Sequence, residues 1–260
     1  MVMKTDLNIA LIQTHLAWEN PIQNRAHLDS FFQKLPEETD MVLLPEMFTT
    51  GFTMEPETVA DTMKGDTVTW MIDWAKKINV AIGGSVVIKE GNLYYNRFLF
   101  VTPQGTITSY DKRHRFMMAG EGEKYTSGEE QVIVDYLGWK FLLQICYDLR
   151  FPVFSRNTTN YDAILYVANW PKARVQAWDT LLQARAIENM AYCVGVNRIG
   201  LDGNNLEYVG HSAVYNVLGE TLAFSDQEEI IIRAKLSKNH ISKMRKTLPF
   251  LKDRDAFRLE

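Results

Sequence analysis

Cys146 is the residue whose type and position most directly indicate covalent chemistry. It follows the apolar run 141–145 and precedes the polar segment YDLR at 147–150, so it stands where a buried strand is predicted to end. Functional sites of α/β proteins collect at such strand ends. A thiol has an ordinary pKa near ~8.5 and needs an activating group to act as a nucleophile at neutral pH. For this residue alone, a buried structural cysteine is the alternative.

The activating group could be a histidine or a carboxylate. None of the five histidines stands in a local pattern typical of papain-like or caspase-like proteases. Glu46 follows an apolar strand predicted at 40–44, and a carboxylate in such a position can act as a general base. Lys112 lies after another predicted strand, where its ammonium group can donate to a developing oxyanion. Taken alone, Glu46 could be an ordinary loop carboxylate and Lys112 a solvated cation. An acid, a cation and a thiol at the ends of three predicted strands together indicate one site.

The hydrophobic pattern predicts the elements that must position these residues. Apolar and β-branched runs predict strands, one of them interrupted at Gly83-Gly84, and apolar residues at helical spacing predict three helices. The predicted strands are 7–13, 40–44, 80–88, 93–101, 107–110, 132–136, 140–145, 163–168, 192–197, 212–217 and 230–236, and the predicted helices are 21–35, 67–78 and 175–191. Hairpins mix with βα units and many runs are apolar on both faces, which favours an α/β fold with sheets between helical layers.

Length and composition set limits on the class of protein. The chain has 260 residues, of which 46% are hydrophobic and 23% charged, and its formal net charge is −4. This balance argues against a nucleic-acid partner, and no apolar run reaches the ~18–20 residues of a membrane-spanning helix. No repeat or linker divides the chain, so we expect one domain over 1–260 with a C-terminal tail at about 237–260, which either covers a neighbour or trails over the surface.

Cysteine usage bears on the compartment. Two cysteines, Cys146 and Cys193, cannot frame a disulfide scaffold, and Cys193 lies in an apolar run typical of a core. The N-terminal apolar run 9–12 is too short for the core of a signal peptide. We therefore expect a cytoplasmic protein.

Three separated blocks of the chain resemble the nitrilase superfamily of carbon–nitrogen hydrolases. They are LLPEMFTTGF at 43–52, YDKRHRF at 110–116 and ICYDLRFP at 145–152, and the segments 168–171, 183–200 and 210–220 are similar to the family as well. The resemblance runs over about 7–236 and is strongest to the bacterial members of the omega-amidase branch. It implies a four-layer α-β-β-α sandwich, a homodimer, and catalysis without a metal or an organic cofactor.

The resemblance also implies a role for each of the three candidates. Glu46, Lys112 and Cys146 match the positions of the family's catalytic Glu-Lys-Cys triad. Glu46 is then the general base and Cys146 the nucleophile that forms a thioester with the substrate. Lys112 and the backbone N–H of Tyr147 are expected to hold the oxyanion.

A second glutamate lies between the lysine and the cysteine in this family. Glu121 fits that position best, with its neighbour Glu123 as the alternative. This glutamate is expected to orient Lys112 and to balance its charge, and a lysine between two carboxylates should stay cationic.

The substrate pocket is less well defined by the sequence. Arg150, four residues after the nucleophile, is a candidate anchor for a substrate carboxylate because a guanidinium matches a carboxylate with two hydrogen bonds; a structural ion pair is its alternative. Phe116 and Trp170 are candidate pocket residues, or else packing residues. Arg113 and Arg115 replace the small aliphatic residue and the leucine that the branch often carries there, which affects the expected charge and specificity of the pocket.

The function that the resemblance implies is hydrolysis of the terminal amide of small dicarboxylic monoamides, of the 2-oxoglutaramate and 2-oxosuccinamate type. Two alternatives stay open. One is a related enzyme that acts on an aliphatic amide, a nitrile or an N-carbamoyl amino acid with the same triad. The other is a non-catalytic binding member of the fold.

Overall fold

Two six-stranded sheets form the frame of the protein, whose computed structural model describes residues 3–259. In chain order the strands are β1 (Asp6–Gln13), β2 (Met41–Leu43), β3 (Ala81–Glu90), β4 (Leu93–Val101), β5 (Ile107–Asp111), β6 (Ile133–Tyr136), β7 (Trp139–Ile145), β8 (Ala163–Ala168), β9 (Tyr192–Asn197), β10 (Ile199–Leu201), β11 (Glu207–Val209), β12 (Ser212–Tyr215), β13 (Thr221–Ser225) and β14 (Ile230–Ser237). The α-helices are α1 (Pro21–Phe32), α2 (Pro56–Val59), α3 (Asp66–Ile78), α4 (Glu121–Lys124), α5 (Pro152–Ser155), α6 (Val175–Asn189) and α7 (Lys238–Thr247). Short 3-10 turns lie at Met117–Ala119, Cys146–Arg150, Lys172–Arg174 and Phe250–Asp253.

The two sheets share one pattern of connections. The first has the order β14-β1-β2-β3-β4-β5 and the second the order β13-β12-β9-β8-β7-β6. In each sheet three neighbouring strands run parallel, β1 with β2 and β3 in the first and β7 with β8 and β9 in the second, and antiparallel strands complete the edges. The carboxyl ends of the parallel strands therefore lie together at one edge of each sheet, where functional residues of α/β folds collect.

The burial pattern of β1 shows how the layers stack. Leu7, Ile9 and Leu11 belong to the core between the two sheets, whereas Ala10 and Ile12 belong to the core under α1 and α3. This alternation follows from the two-residue period of a strand that is buried on both faces. On the other side of the molecule α6 packs against β9 and β12. The layers are those of the predicted α-β-β-α sandwich.

The predicted interruption at Gly83-Gly84 is wrong. β3 runs without a break through both glycines, which pair with Phe100 and Leu99 of β4. A β-carbon at Gly83 would lie 2.6 Å from the side chain of Leu43. Glycine at these positions therefore allows neighbouring side chains to pack closely against the strand, and it does not bend the strand.

The C-terminal part of the chain differs most from the predicted elements. The turn at 218–220 leads into β13, an edge strand with exposed side chains that the sequence pattern missed, and β14 then crosses to the first sheet beside β1. Residues 248–259 of the tail lie at the surface, but its first part packs on the core. It forms α7, whose Ile241 is buried, and Arg245 donates hydrogen bonds to the carbonyls of Met190 and Tyr161.

A single domain over 1–260 stays a prediction, and residues 1, 2 and 260 lie outside the described part of the chain. Within residues 3–259, no helix is both long enough and apolar enough to cross a membrane.

Candidate active site

Three strand ends bring the predicted catalytic side chains together. Cys146 follows β7 directly, Lys112 follows β5 directly, and Glu46 lies three residues after the end of β2. Lys112 Nζ is 2.9 Å from Glu46 Oε1 and 2.9 Å from Glu121 Oε1. All four side chains are buried, with at most 9% of each residue exposed. The two sheets thus contribute to one charged cluster in the interior.

Glu121 and its neighbour Glu123 have different surroundings. Both carboxylate oxygens of Glu121 accept from Lys112 Nζ, and Glu121 also accepts the backbone N–H of Phe116. Glu123 is exposed on the same short helix. The geometry therefore places Glu121, the preferred of the two candidates, against Lys112.

The electrostatics of the cluster favour an ammonium ion between two acids. Burial by itself lowers the pKa of Lys112, but the charges of Glu121 and Glu46 outweigh it and hold that pKa well above its ordinary value. Burial raises the pKa of Glu121, an effect that the charge of Lys112 opposes. Lys112 is therefore cationic at any working pH and remains a hydrogen-bond donor.

The thiol rests in its neutral form. Burial raises the pKa of Cys146 well above its ordinary value, and the charge of Glu46 and a hydrogen bond with Glu46 add to that rise, while Lys112 opposes it. Sγ also lies 3.8 Å from the carbonyl oxygen of Asn169. A nucleophile in these surroundings needs its proton removed as it attacks, which is the task of a general base.

Two asparagines hold the carboxylate of Glu46 in place. Its Oε1 accepts from Asn96 Nδ2 at 2.8 Å, and its Oε2 accepts from the backbone N–H of Asn169 at 2.8 Å. Asn169 also donates from Nδ2 to the backbone carbonyl of Glu46 at 2.6 Å. Asn96 belongs to β4 and Asn169 follows β8, so this network joins the two sheets. Neither asparagine was predicted from the sequence as a site residue, although Asn169 stands in the segment ANWP at 168–171 that resembles the family.

The backbone at Cys146 is bent and is supported by a buried carboxylate. Cys146 has φ of 44°, in the left-handed region that a non-glycine residue occupies only when its surroundings stabilise it. The buried carboxylate of Asp148 provides that support: it accepts from the backbone N–H of Ile145, from the hydroxyl of Tyr110 and from the backbone N–H of His114. His114 is thus part of this support.

The cluster borders a cavity of about 570 Å³. Lys112 and Cys146 lie in its wall, together with the candidate pocket residues Arg150, Phe116 and Trp170 and the side of Tyr147. Arg113 and Arg115 are not among the lining residues, because their guanidinium groups donate to backbone carbonyls of Glu129 and of Gly122 and Tyr125 instead. The departure of these two arginines from the family pattern therefore does not change the wall of the cavity.

Two arginines stand on aromatic rings in this wall. Arg150 lies 5.0 Å from the ring centre of Trp170, and Arg174 lies 4.9 Å from the ring centre of Phe116. Among the described residues no carboxylate is within ion-pair distance of either guanidinium, so the interpretation of Arg150 as a structural ion pair has no support. Arg174 was not predicted, since nothing in the sequence distinguishes it from a surface arginine.

Three acids, Glu19, Glu55 and Asp202, lie in the cavity wall. Glu19 accepts from the hydroxyl of Thr53, and Asp202 accepts from the hydroxyl of Tyr208 and from two backbone N–H groups. The wall therefore carries acidic as well as basic side chains. The one group of side chains with metal-ligand spacing in residues 3–259 lies outside the cavity.

Comparison with known proteins assigns the family. A model of the family described as "Carbon-nitrogen hydrolase" matches residues 8–246. The chain belongs to the carbon–nitrogen hydrolase family. The resemblance to the nitrilase superfamily, its four-layer fold and its character as an enzyme are thereby confirmed.

Individual relatives extend over nearly the whole chain. Omega-amidase YafV of Escherichia coli (strain K12) is 45% identical over 254 residues, which cover 97% of this chain and 98% of that protein. The 2-oxoglutaramate amidase of Bacillus subtilis (strain 168) is 32% identical over 94% of this chain and 96% of that protein. The crystal structure of XC1258 from Xanthomonas campestris, a CN-hydrolase superfamily protein with an arsenic adduct in its active site, is 40% identical, with a TM-score of 0.97 and coverage of 99% of this chain and 100% of that one.

Proposed function

We propose that this carbon–nitrogen hydrolase is an omega-amidase, which cleaves the terminal amide of small dicarboxylic monoamides such as 2-oxoglutaramate and 2-oxosuccinamate to the acid and ammonia. The observation that carries the proposal is the lysine held 2.9 Å from each of two buried glutamates beside a neutral thiol, at the wall of a cavity with two unpaired arginines. The named activities of the Escherichia coli and Bacillus subtilis relatives support the choice of substrate.

The proposed reaction has two halves that share one proton carrier. The sulfur of Cys146 attacks the amide carbon while Glu46 accepts the thiol proton. The C–N bond then breaks, Glu46 returns the proton to the leaving nitrogen, and ammonia departs from a thioester. In the second half Glu46 takes a proton from water, whose oxygen attacks the thioester, and the proton passes to the sulfur as the acid leaves.

The negative charge that develops on the carbonyl oxygen needs donors that are already in place. Lys112 and the backbone N–H of Tyr147 are proposed to supply them. Glu121 positions Lys112 without touching the substrate. Because donors fixed before the reaction need no reorganisation, each is typically worth about 2.7–4 kcal/mol in the transition state.

The far end of the substrate carries a carboxylate, and the cavity offers two partners for it. We assign this role to Arg150, and add Arg174 as a second contact. Phe116 and Trp170 hold the two guanidinium groups by cation–π contact and line the space for the substrate chain.

Arg150→Lys and Arg174→Gln should each raise KM for 2-oxoglutaramate by about 10-fold, with kcat little changed, because a charge-assisted, two-point hydrogen bond is lost. A neutral amide of similar length lacks the carboxylate, so its KM should stay within about twofold. Steady-state kinetics with both substrates tests this. Lys172→Met is the matched control, since it removes a nearby positive charge that pairs with Glu207 outside the cavity. An unchanged KM for the charged substrate, or an equal rise for both substrates, would contradict the anchor role.

The rate of Cys146 alkylation by iodoacetamide should be nearly independent of pH between about 6.5 and 8.5. The pKa of the thiol is raised by burial and by Glu46, so little thiolate is present, and Glu46 takes the proton in the attacking step. Mass spectrometry of the modified peptide measures the rate, with Cys146→Ala to separate the buried Cys193. A tenfold rise in rate per pH unit would mean that only free thiolate reacts and would exclude Glu46 as the base. A midpoint near 8.5 would instead show an ordinary exposed thiol, as expected of a non-catalytic binding protein.

The choice of substrate is tested by ammonia release from a panel of compounds. The panel holds 2-oxoglutaramate, 2-oxosuccinamate, a neutral aliphatic amide, a nitrile and an N-carbamoyl amino acid. We expect kcat/KM to be largest for the two keto-acid amides. A preference for any of the other three would replace the omega-amidase proposal by the corresponding activity of the same triad.

We also propose that the enzyme acts as a cytoplasmic homodimer. Several large apolar side chains near α6 and β13 are exposed in the single chain, among them Ile187, Leu222 and Phe224, and such a patch is typical of an interface.

Both cysteines are free and buried, which suits a reducing compartment. Light scattering of the purified protein gives the oligomeric state directly.

A further inference from the structure

Two histidines and a glutamate converge at one edge of the first sheet, outside the catalytic cavity. His15 Nδ1 and His27 Nε2 each lie 2.9 Å from Oε1 of Glu229. The ligand atoms all lie within 4.8 Å of one another, and the imidazole ring centres are 4.6 Å apart. We refer to these three residues as the His-His-Glu cluster.

The backbone fixes the three side chains from independent elements. Glu229 immediately precedes β14, and His15 lies two residues after β1; these strands pair with Gln13 opposite Ile230. His27 stands on α1, which packs on the same sheet. His15 is also held by a bridge to Ile199. The cluster is therefore organised by the fold and not by the chance meeting of surface side chains.

The hydrogen bonds inside the cluster leave one oxygen crowded with donors. Oε1 of Glu229 lies within hydrogen-bond distance of His15 Nδ1 and His27 Nε2, and it accepts from the hydroxyl of Thr14. That hydroxyl also lies 2.8 Å from His27 Nε2. A neutral imidazole carries a proton on only one nitrogen, so these contacts require one particular tautomer of each ring. A divalent cation would satisfy both nitrogen lone pairs and the carboxylate together.

The donor set and the spacing suit zinc. Two histidines and one glutamate are a known set of three protein ligands for Zn²⁺, with water in the fourth position. Tetrahedral bonds of about 2.0–2.1 Å place neighbouring ligand atoms about 3.3 Å apart. The two N–O distances of 2.9 Å need to open by a few tenths of an ångström, and the two ring nitrogens, which lie within 4.8 Å of each other, need to take up the same separation. The side chains of His15, His27 and Glu229 are 55%, 29% and 36% exposed, which leaves access for the ion and its water.

We propose that the His-His-Glu cluster is a binding site for a divalent transition metal, with Zn²⁺ as the expected ion. It has no part in the thioester chemistry. The bound metal would join the ends of β1 and β14 to α1. Oxygen-preferring Mg²⁺ is not expected to bind, since two of the three ligands are imidazoles.

The test uses the full chain with Cys146→Ala, so that the catalytic thiol cannot bind the ion. After removal of metal with a chelator, titration calorimetry with ZnCl₂ should give one ion per chain. Thermal melts at a zinc concentration 100 times Kd should show a rise in Tm of about 5 to 10 °C, because the ion binds only the folded state. MgCl₂ should give no shift, and Co²⁺ should give a visible spectrum without a thiolate charge-transfer band.

Variants decide whether the cluster is the site. His15→Ala and Glu229→Gln change exposed side chains and should each weaken zinc binding at least tenfold; His27→Ala should abolish it. His211→Ala is the matched control, because His211 also pairs with a carboxylate, that of Asp179 at 2.9 Å, but has no second histidine beside it. Its zinc response should equal that of the parent. No zinc response in the parent, or an unchanged response in both His15→Ala and Glu229→Gln, would overturn the proposal.

Discussion

Cys146→Ala should reduce ammonia release from 2-oxoglutaramate by at least about 10⁴-fold, because without a sulfur nucleophile neither half of the proposed reaction can occur. The loss should fall on kcat, since the anchors of the substrate carboxylate remain. Cys146→Ser should lose nearly as much, because a serine hydroxyl is a weaker nucleophile than a thiol. Acid quenching of the native enzyme during turnover, followed by mass spectrometry, should reveal a thioester on Cys146.

The fold must be shown to survive this change. The alanine variant removes only one sulfur atom at the cavity wall, so its circular dichroism and Tm should stay close to those of the native chain. Loss of Cys193, in contrast, should affect packing and not chemistry, since its side chain lies in the core. If Cys146→Ala keeps most of the activity while the fold is intact, the covalent mechanism is wrong.

Lys112→Met should have the second largest effect, and it should act on both stability and catalysis. Removing the ammonium leaves the carboxylates of Glu46 and Glu121 buried without their shared partner. Breaking a buried ion pair from one side typically costs about 3–5 kcal/mol of unfolding free energy. Loss of one oxyanion donor should lower kcat by a further factor of about 10²–10³.

A double variant separates the two effects. Lys112→Met combined with Glu121→Gln removes one of the two abandoned charges, so the unfolding free energy should recover in part, as measured by urea denaturation. The kcat should not recover, because the oxyanion donor is still missing. If the double variant regains activity together with stability, Lys112 acts only as a structural counter-ion and the proposed oxyanion role fails.

The sequence predicted the main parts of the site because they follow buried strands. Glu46, Lys112 and Cys146 each stand just beyond an apolar run, and apolar runs are the strongest signal for a strand in a doubly covered sheet. The same signal predicted the layered fold. The order of the three blocks then placed them in one family.

What the sequence did not predict depends on contacts between distant segments. Asn96 and Asn169 hold Glu46, but an asparagine inside or just after a strand has the same local pattern whether or not it meets a carboxylate. Arg174 lies on Phe116 in the cavity wall, and nothing in its neighbourhood along the chain indicates that contact.

Other misses have local causes. The pair Gly83-Gly84 predicts a break because glycine is rare within strands, although at Gly83 the reason for glycine is the close packing of Leu43. The strand β13 has exposed side chains at the edge of its sheet and so lacks the apolar alternation of a buried strand. Helix α7 has Ile241 as its buried residue, and its charged remainder resembles a solvated tail.

The hydrogen bonds from Asn169 to Glu46 span the two sheets, and they have a consequence for how this enzyme can fail. Neither sheet carries all of the proposed reacting groups, so the proposed reaction requires both sheets in their observed positions. A small displacement of one sheet along the other would then abolish activity while the secondary structure stays intact. Ammonia release should therefore report on the relative position of the two sheets, which spectroscopic measures of helix and strand content do not detect.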